Sequence, residues 1–307
     1  MDKSLSRRRF VQAMVPLAGG LALPARAADR PSGPSPGKGR GFTLWQLPNQ
    51  TRTQMMSYMI RTSGGKILVI DGGNVGDAPY LRGFLAALGN KVDAWFISHA
   101  HDDHFDALRV ILDKPADLQI GPIYASLPTE SWVKQHEAAN LKKFEMFNAA
   151  VRKAGQQIIE LKPGQVLKFD GVPMEVLGVK NLEITTNAVN NSSFVIRVTG
   201  KTGAILFTGD LGVEGGRKLM NSPHRKQLQA DYIQMAHHGQ NGVDEDFYRE
   251  VQPKYCFWPT PSWLWNNDNG GGKGSGPWQT LEVRAWMKKL NVKRHFVGAE
   301  GLHRVEI

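Results

Sequence analysis

Apolar residues in this chain form two kinds of pattern, short runs typical of buried strands and longer stretches with helical spacing. Spacing of i, i+3, i+4 and i+7 predicts a helix over 81–88, and a longer helical pattern predicts one helix over 130–153. The predicted strands are 43–47, 56–62, 67–70, 94–98, 120–125, 158–161, 166–169, 174–177, 194–198, 204–207 and 232–236. Many strands, with helices between them but not in strict alternation, favour an α/β fold of two packed sheets covered by helices.

The densest group of polar residues follows the predicted strand 94–98. It reads His99-Ala100-His101-Asp102-Asp103-His104, and apolar residues with helical spacing come directly after it. Neutral imidazole nitrogens and carboxylate oxygens are the atoms that zinc and similar ions bind. Three histidines and a carboxylate crowded into one strand-to-helix turn therefore predict a metal site.

This stretch resembles the metal-binding signature of the metallo-β-lactamase-fold hydrolases. Three further segments resemble that family and occur in its order: a strand ending in Asp71-Gly72-Gly73, a strand ending in Thr208-Gly209-Asp210, and the segment His237-His238-Gly239. The resemblance covers roughly 42–307. It implies a four-layer αββα sandwich in a single hydrolase domain, residues 41–307.

The resemblance also implies two divalent metal ions, zinc or alternatively manganese, that activate a water for hydrolysis. His99 and His101 would bind one ion and Asp103 and His104 the other. Asp210 would bridge the two, and Asp71 would orient the site without binding metal. Asp103 is also expected to be a catalytic residue.

The histidine pair admits two assignments. Because strand residues alternate between faces, His237 and His238 should not both face the same ion. His237 directly follows the predicted strand 232–236, so it is expected to complete the second metal site. His238 is then expected to be the catalytic donor of a proton or hydrogen bond.

One departure from the family pattern affects the first metal site. A third histidine is usual before the Asp210 strand, but the matching region has Asn190 and Asn191 and no histidine. This arrangement resembles the hydrolase domain of ComEC-type DNA-uptake proteins and related phosphodiester-cleaving enzymes. An amide oxygen in place of an imidazole would weaken metal binding or favour a harder ion such as manganese. Alternatively, the two asparagines only cap a turn, and the sequence leaves both readings open.

The expected substrate is a phosphodiester or another anion. The formal net charge of the chain is +10, and about +6 remains outside residues 1–27, so the protein should attract anions, including nucleic acid. A hydrolase of carbon esters or amides, such as a lactonase or β-lactamase, is the alternative within enzymes. A metal-poor binding protein with the same fold is the alternative outside them.

Residues 1–27 have the composition of an export signal. Paired arginines in Ser6-Arg7-Arg8-Arg9-Phe10 precede a mildly apolar run and the small-residue site Ala25-Arg26-Ala27. This pattern predicts a twin-arginine signal, with a general secretory signal as the alternative, and a periplasmic or secreted protein. The Pro-, Gly- and Ser-rich residues 28–40 predict a flexible linker. No run of eighteen apolar residues occurs, so no transmembrane helix is expected.

Overall fold

The computed structural model describes residues 41–307, so the predicted signal peptide (1–27) and linker (28–40) lie outside the described residues. Its strands are β1 Phe42–Gln46, β2 Ser57–Thr62, β3 Ile67–Asp71, β4 Lys91–Val92, β5 Ala94–Ile97, β6 Gln119–Ile120, β7 Ile123–Ala125, β8 Ile158–Glu160, β9 Val166–Phe169, β10 Val172–Gly178, β11 Val195–Thr199, β12 Ala204–Phe207, β13 Tyr232–Gln234, β14 Tyr255–Trp258, β15 Arg294–Val297 and β16 His303–Glu306. Its α-helices are α1 Ala78–Ala87, α2 Asp102–Asp113, α3 Glu130–His136, α4 Ala138–Lys153, α5 Ala188–Asn191, α6 Val213–Met220, α7 Glu245–Val251, α8 Ser262–Trp265 and α9 Thr280–Lys289.

Two seven-stranded sheets of similar design form the centre of this region. The first has the order β16-β1-β2-β3-β5-β7-β8, antiparallel up to β3 and parallel from β3 onward. The second has the order β15-β14-β13-β12-β11-β10-β9, parallel from β15 to β12 and antiparallel after it. The turns that carry His99, Asp210 and His238 follow β5, β12 and β13, each of which has at least one parallel neighbour.

Both sheets are apolar on both faces, which gives the fold its four layers. In β3, Leu68 and Ile70 pack between the sheets, while Ile67 and Val69 face the helices on the outer side. Helices α1, α2 and α4 cover the first sheet, and α6, α7 and α9 cover the second. The α/β sandwich expected from the sequence is confirmed. None of the helices within residues 41–307 combines the length and apolar character needed to cross a bilayer.

Two predicted elements differ from the structure. The helix expected over 130–153 is two helices, α3 and α4, because Glu137 between them takes an extended φ of −155°. The strand expected to reach residue 236 ends at Gln234, and a 3₁₀ turn over Ala236–Gly239 follows. Both differences lie next to the candidate metal site.

Candidate metal centre

The turn between β5 and α2 presents the first set of candidate ligands. His101 is the N-cap of α2 and has extended backbone angles, so Asp103 and His104 fall in the first helical turn. His99 and His104 are fully buried there, which is unusual for polar side chains without a partner such as a metal. The helix itself is held by Phe105, Leu108 and Leu112, which are buried in the core under the first sheet.

Side chains from this turn meet Asp210 and His238 in two groups of possible metal ligands. The first group is His99, His101 and Asp210, and the second is Asp103, His104, Asp210 and His238. Within each group the possible ligand atoms all lie within 4.8 Å of one another. Asp210 belongs to both groups: its Oδ2 is 3.8 Å from His99 Nε2, 3.4 Å from His104 Nε2 and 3.3 Å from His238 Nε2.

A buried network under the cluster orients two of its imidazoles. Asp71 is fully buried and accepts hydrogen bonds from Ser98 N, from Ser98 Oγ and from His104 Nδ1, each at 2.7 Å. Ser98 Oγ in turn lies 3.0 Å from His99 Nδ1, from which it can accept. With the Nδ1 protons engaged in this way, the Nε2 lone pairs of His99 and His104 face the cluster. Asp71 thus lies where the sequence placed it, behind the ligands.

Glu137 orients a third imidazole, and the sequence analysis missed it. The break between α3 and α4 brings Glu137 Oε1 to 2.7 Å from His101 Nε2. The His101 Nε2 proton is donated to this carboxylate, so Nδ1 is the nitrogen that faces His99 Nε2, at 3.0 Å. The sequence carries no signal for this role, because Glu137 sits in an otherwise helical pattern of charged and apolar residues.

The structure corrects the placement of the histidine pair. His238, rather than His237, joins the second group, with its Nε2 3.1 Å from Asp103 Oδ2. Its Nδ1 donates to the carbonyl of Pro259 at 2.9 Å. His237 lies outside both groups, with its Nε2 3.9 Å from Asp210 Oδ2. The two side chains do not alternate as strand residues would, because neither residue is in a strand: both have left-handed backbone angles, φ 49° and φ 55°.

Packing of the turn explains this backbone. Gly239 also has a positive φ, 78°, and a Cβ there would lie 2.3 Å from the ring of the buried Trp258. Only glycine fits so close to the indole, and three consecutive left-handed residues turn the chain back toward the cluster. The turn is further held by His237 N, which donates to Gly209 O at 3.1 Å, one residue before Asp210.

The two asparagines have different surroundings. Asn191 Oδ1 accepts from Gly212 N at 3.1 Å and from Gly215 N at 2.9 Å, so this side chain holds the start of α6. Asn190 is buried next to the cluster: its Nδ2 lies 2.9 Å from Asn187 Oδ1 and 3.4 Å from His237 Nε2. The capping interpretation therefore describes Asn191, while Asn190 lies at the candidate metal site.

Several buried polar atoms of the cluster lack hydrogen bonds. Their chemistry shows whether the cluster fits a metal. Within the described residues, His104 Nε2, His238 Nε2 and Asp210 Oδ1 are buried without a hydrogen-bond partner. Such orphaned acceptors are costly unless another species satisfies them. Their donor types, imidazole nitrogen and carboxylate oxygen, are those that bind zinc and comparable divalent ions. The residues present therefore fit a metal.

Without metal, burial and the neighbouring charges together set the pKa values of the cluster. Burial disfavours the charged form of His238, but Asp210 and Asp103 outweigh it and raise its pKa to about 10. Burial also disfavours ionised Asp210, yet His238 and His104 hold its pKa well below the usual value. Burial, reinforced by His104, lowers the pKa of His99 well below the ordinary value. Metal binding would have to displace the protons on His104 and His238.

Comparisons with known proteins agree with this geometry. The profile described as Metallo-beta-lactamase superfamily matches residues 51–246. ComE operon protein 3 of Bacillus subtilis (strain 168) is 31% identical over 175 residues, 56% of this chain and 20% of that protein. RNase aCSPSF2 of Saccharolobus solfataricus (strain ATCC 35092 / DSM 1617 / JCM 11322 / P2) is 22% identical over 201 residues, 62% of this chain and 39% of that protein.

Solved structures share the overall fold. The metallo-beta-lactamase fold protein YhfI from Bacillus subtilis superposes with a TM-score of 0.53 at 14% identity, covering 87% of this chain and 100% of that one. This likeness concerns the fold alone. The chain spans about a fifth and two fifths of the lengths of the two sequence relatives, so each similarity concerns one part of a longer protein.

Proposed function

The chain belongs to the metallo-beta-lactamase superfamily, and from this premise we propose that it is a binuclear metal-dependent hydrolase that cleaves phosphodiesters. The observation that carries the proposal is the pair of ligand groups sharing Asp210, with buried and unpartnered atoms converging on one place. Two divalent ions, zinc or alternatively manganese, would be bound. One ion would be held by His99, His101 and Asp210. The other ion would be held by Asp103, His104, Asp210 and His238.

The protein's own residues would mainly hold the ions and orient the ligands. When bound, the two ions would polarise the scissile group and lower the pKa of water, a chemistry that needs no protein nucleophile. Cys256, the single cysteine of the chain, is fully buried, and burial raises the pKa of its thiol, so it is not such a nucleophile. His238 contributes as a member of the second group rather than as the separate proton donor expected from the sequence. Asp103 shares that group.

Three observations outside the metal centre support a phosphodiester as the substrate. One relative is named as an RNase, an enzyme that cleaves phosphodiester bonds. The similarity to ComE operon protein 3 agrees with the branch expected from the asparagines before β11. An excess of basic residues would help bring an anionic substrate, including nucleic acid, to the site.

A substrate screen on protein purified without chelator tests this proposal. We expect close to two divalent metals per chain by elemental analysis and hydrolysis of bis-p-nitrophenyl phosphate, with no hydrolysis of nitrocefin or a homoserine lactone. Asp210→Asn should lower both metal content and rate, the rate by more than about 10²-fold, because even loss of a residue that only supports a ligand costs about 10–100-fold. His136→Ala, which changes a histidine of α3 outside both groups, is the matched control and should behave as the native protein.

Two outcomes would contradict the proposal. Hydrolysis of nitrocefin or the lactone without phosphodiester hydrolysis would replace the substrate class by a carbon ester or amide. Absence of bound metal after titration with zinc and manganese would leave a binding protein with the fold of a hydrolase.

We also propose export through the twin-arginine machinery to the periplasm or beyond the cell. The support is the sequence pattern of residues 1–27, which lie outside the described residues. Transport of a folded protein would let the metal centre assemble before export.

A further inference from the structure

The first ligand group is one residue short of the second. It contains three residues, His99, His101 and Asp210, whereas the second contains four. Structural and catalytic zinc sites use three or four protein ligands with nitrogen, sulfur or oxygen donors. If Asp210 is shared between two ions, the first ion would have only His99 and His101 as ligands of its own. The first ion would therefore need a further donor beside this group.

His237 has the orientation of a ligand, although it lies outside both groups. Its Nδ1 donates to the carbonyl of Asn241 at 3.1 Å, so the lone pair is on Nε2. That Nε2 lies on the side of the cluster, 3.9 Å from Asp210 Oδ2. The same arrangement, one nitrogen engaged by an acceptor and the other facing the cluster, occurs in all four histidines of the two groups.

Asn190 provides the second, independent observation. It is 4% exposed, and its Oδ1 has no hydrogen-bond partner among the described residues. Its Nδ2 contacts His237 Nε2 at 3.4 Å, longer than an ordinary N–H donor distance. A buried, unpartnered amide oxygen thus lies beside an imidazole whose Nε2 receives only this long contact, and together they make a pair of neutral donors.

The backbone at His237 supports a functional constraint. Non-glycine residues in the left-handed region are strained, and here two follow one another, at φ 49° and φ 55°. The turn directs His237 toward α5, which carries Asn190, while His238 goes to the second group. A strand continued through this segment would have placed the two side chains on opposite faces.

We propose that His237, with Asn190 beside it, completes the first metal group and takes the place of the histidine absent from residues 187–196. This proposal rests on the proposed binuclear function. His237 Nε2, 3.9 Å from Asp210 Oδ2, would be the direct ligand. The amide oxygen of Asn190 is the adjoining neutral donor. The chemical class of the ligand is a divalent ion of the zinc or manganese type.

Metal binding to the purified protein, followed without reference to activity, tests the proposal. Protein stripped with chelator is titrated with Co²⁺, and the visible absorption and the bound metal per chain are recorded. His237→Ala should weaken binding of one of two Co²⁺ ions by more than about tenfold, since loss of a residue that only supports a ligand already costs 10–100-fold. The other ion should bind as in the native protein. Asn190→Ala should weaken the same ion by less.

The outcomes distinguish this inference from the proposed function. Native protein that binds no metal would overturn the proposed function and this inference together. Two ions bound equally well by native protein and His237→Ala would overturn this inference alone, whatever happens to the rate. Retention of one tight ion by His237→Ala shows that the variant is folded, and His136→Ala is the control for loss of an unrelated histidine.

Discussion

At the scale of single residues, the imidazoles of this centre depend on what their outward nitrogens contact. Asp71 engages His104, Glu137 engages His101, and the carbonyl of Pro259 engages His238. Each contact fixes a tautomer and leaves the inward nitrogen free of a proton when the ring is neutral. Carboxylate partners also make the imidazole a better donor to a metal. The candidate site is thus prepared by residues that belong to neither ligand group.

The protonation of these rings predicts how the metal-free protein responds to pH. His238 has a folded-state pKa of about 10, and that of His104 is also raised, so both stabilise the fold fully below about pH 6.5. That contribution is lost as the pH rises from about 6.5 to 10. The chelator-treated protein should therefore lose on the order of 3 kcal/mol of unfolding free energy between pH 7 and pH 10 in urea titrations.

A variant and the metal-loaded protein should each differ from the metal-free protein in their response to pH. His238→Gln in the metal-free protein should reduce the pH dependence, because it removes the imidazole whose pKa Asp210 and Asp103 raise to about 10. In the metal-loaded protein the gain in stability over the metal-free form should grow with pH, since metal must displace those protons. A metal-free protein whose stability rises from pH 7 to pH 10 would contradict the assignment.

At the scale of secondary-structure elements, the ends of parallel strands deliver the ligands. Chain segments after β5, β12 and β13 supply the metal-binding turn, Asp210 and the histidine turn. Gln234, fully buried at the end of β13, accepts from Thr208 N and donates to Gly209 O, which ties the last two segments together. The positions of Asp210 and His238 are therefore coupled through one side chain.

Packing of α2 on α4 is expected to support the first turn. Phe105 is fully buried in α2, and its ring stacks on that of Phe147 in α4 with centroids 4.7 Å apart. Phe105→Ala should lower the unfolding free energy of the metal-loaded protein by about 3–5 kcal/mol, because it leaves a cavity beside the metal-binding turn. Urea denaturation measures the change. Met146→Ala, at a 44% exposed position of α4, should change stability by no more than about 0.5 kcal/mol. Equal effects of the two substitutions would contradict the packing role.

At the scale of the whole molecule, two sheets of matching design bring distant parts of the chain to one place. The ligands come from residues 99–104, 210 and 238, and each segment follows a parallel strand. Apolar side chains on both faces of each sheet leave the polar turns at the strand ends as the sites for chemistry. The single cysteine excludes an intramolecular disulfide, so the core and any bound metal must stabilise the fold.

Export is a property of the full-length precursor and has its own test. Arg7→Lys together with Arg8→Lys should leave the precursor in the cytoplasm, because a twin-arginine signal requires the arginine pair. Fractionation of cells and detection of the shortened mature form measure the outcome. Arg9→Lys, next to the pair, is the matched control and should be exported. Normal export of the double variant would favour the general secretory route.

The sequence by itself determined the fold class and predicted most of the candidate ligands. Apolar patterning is local, and the turn at 99–104 places four ligands within six residues, so neither needed long-range information. The resemblance of three further segments located Asp71 and Asp210. Tertiary structure decided what depends on packing between distant segments. The indole of Trp258 beside Gly239 sets the turn that places His238 in the second group and His237 outside it. The helix break at Glu137 gives His101 its partner. Backbone angles at a turn and the partner of an outward nitrogen are set by contacts across the fold, and no local pattern records them.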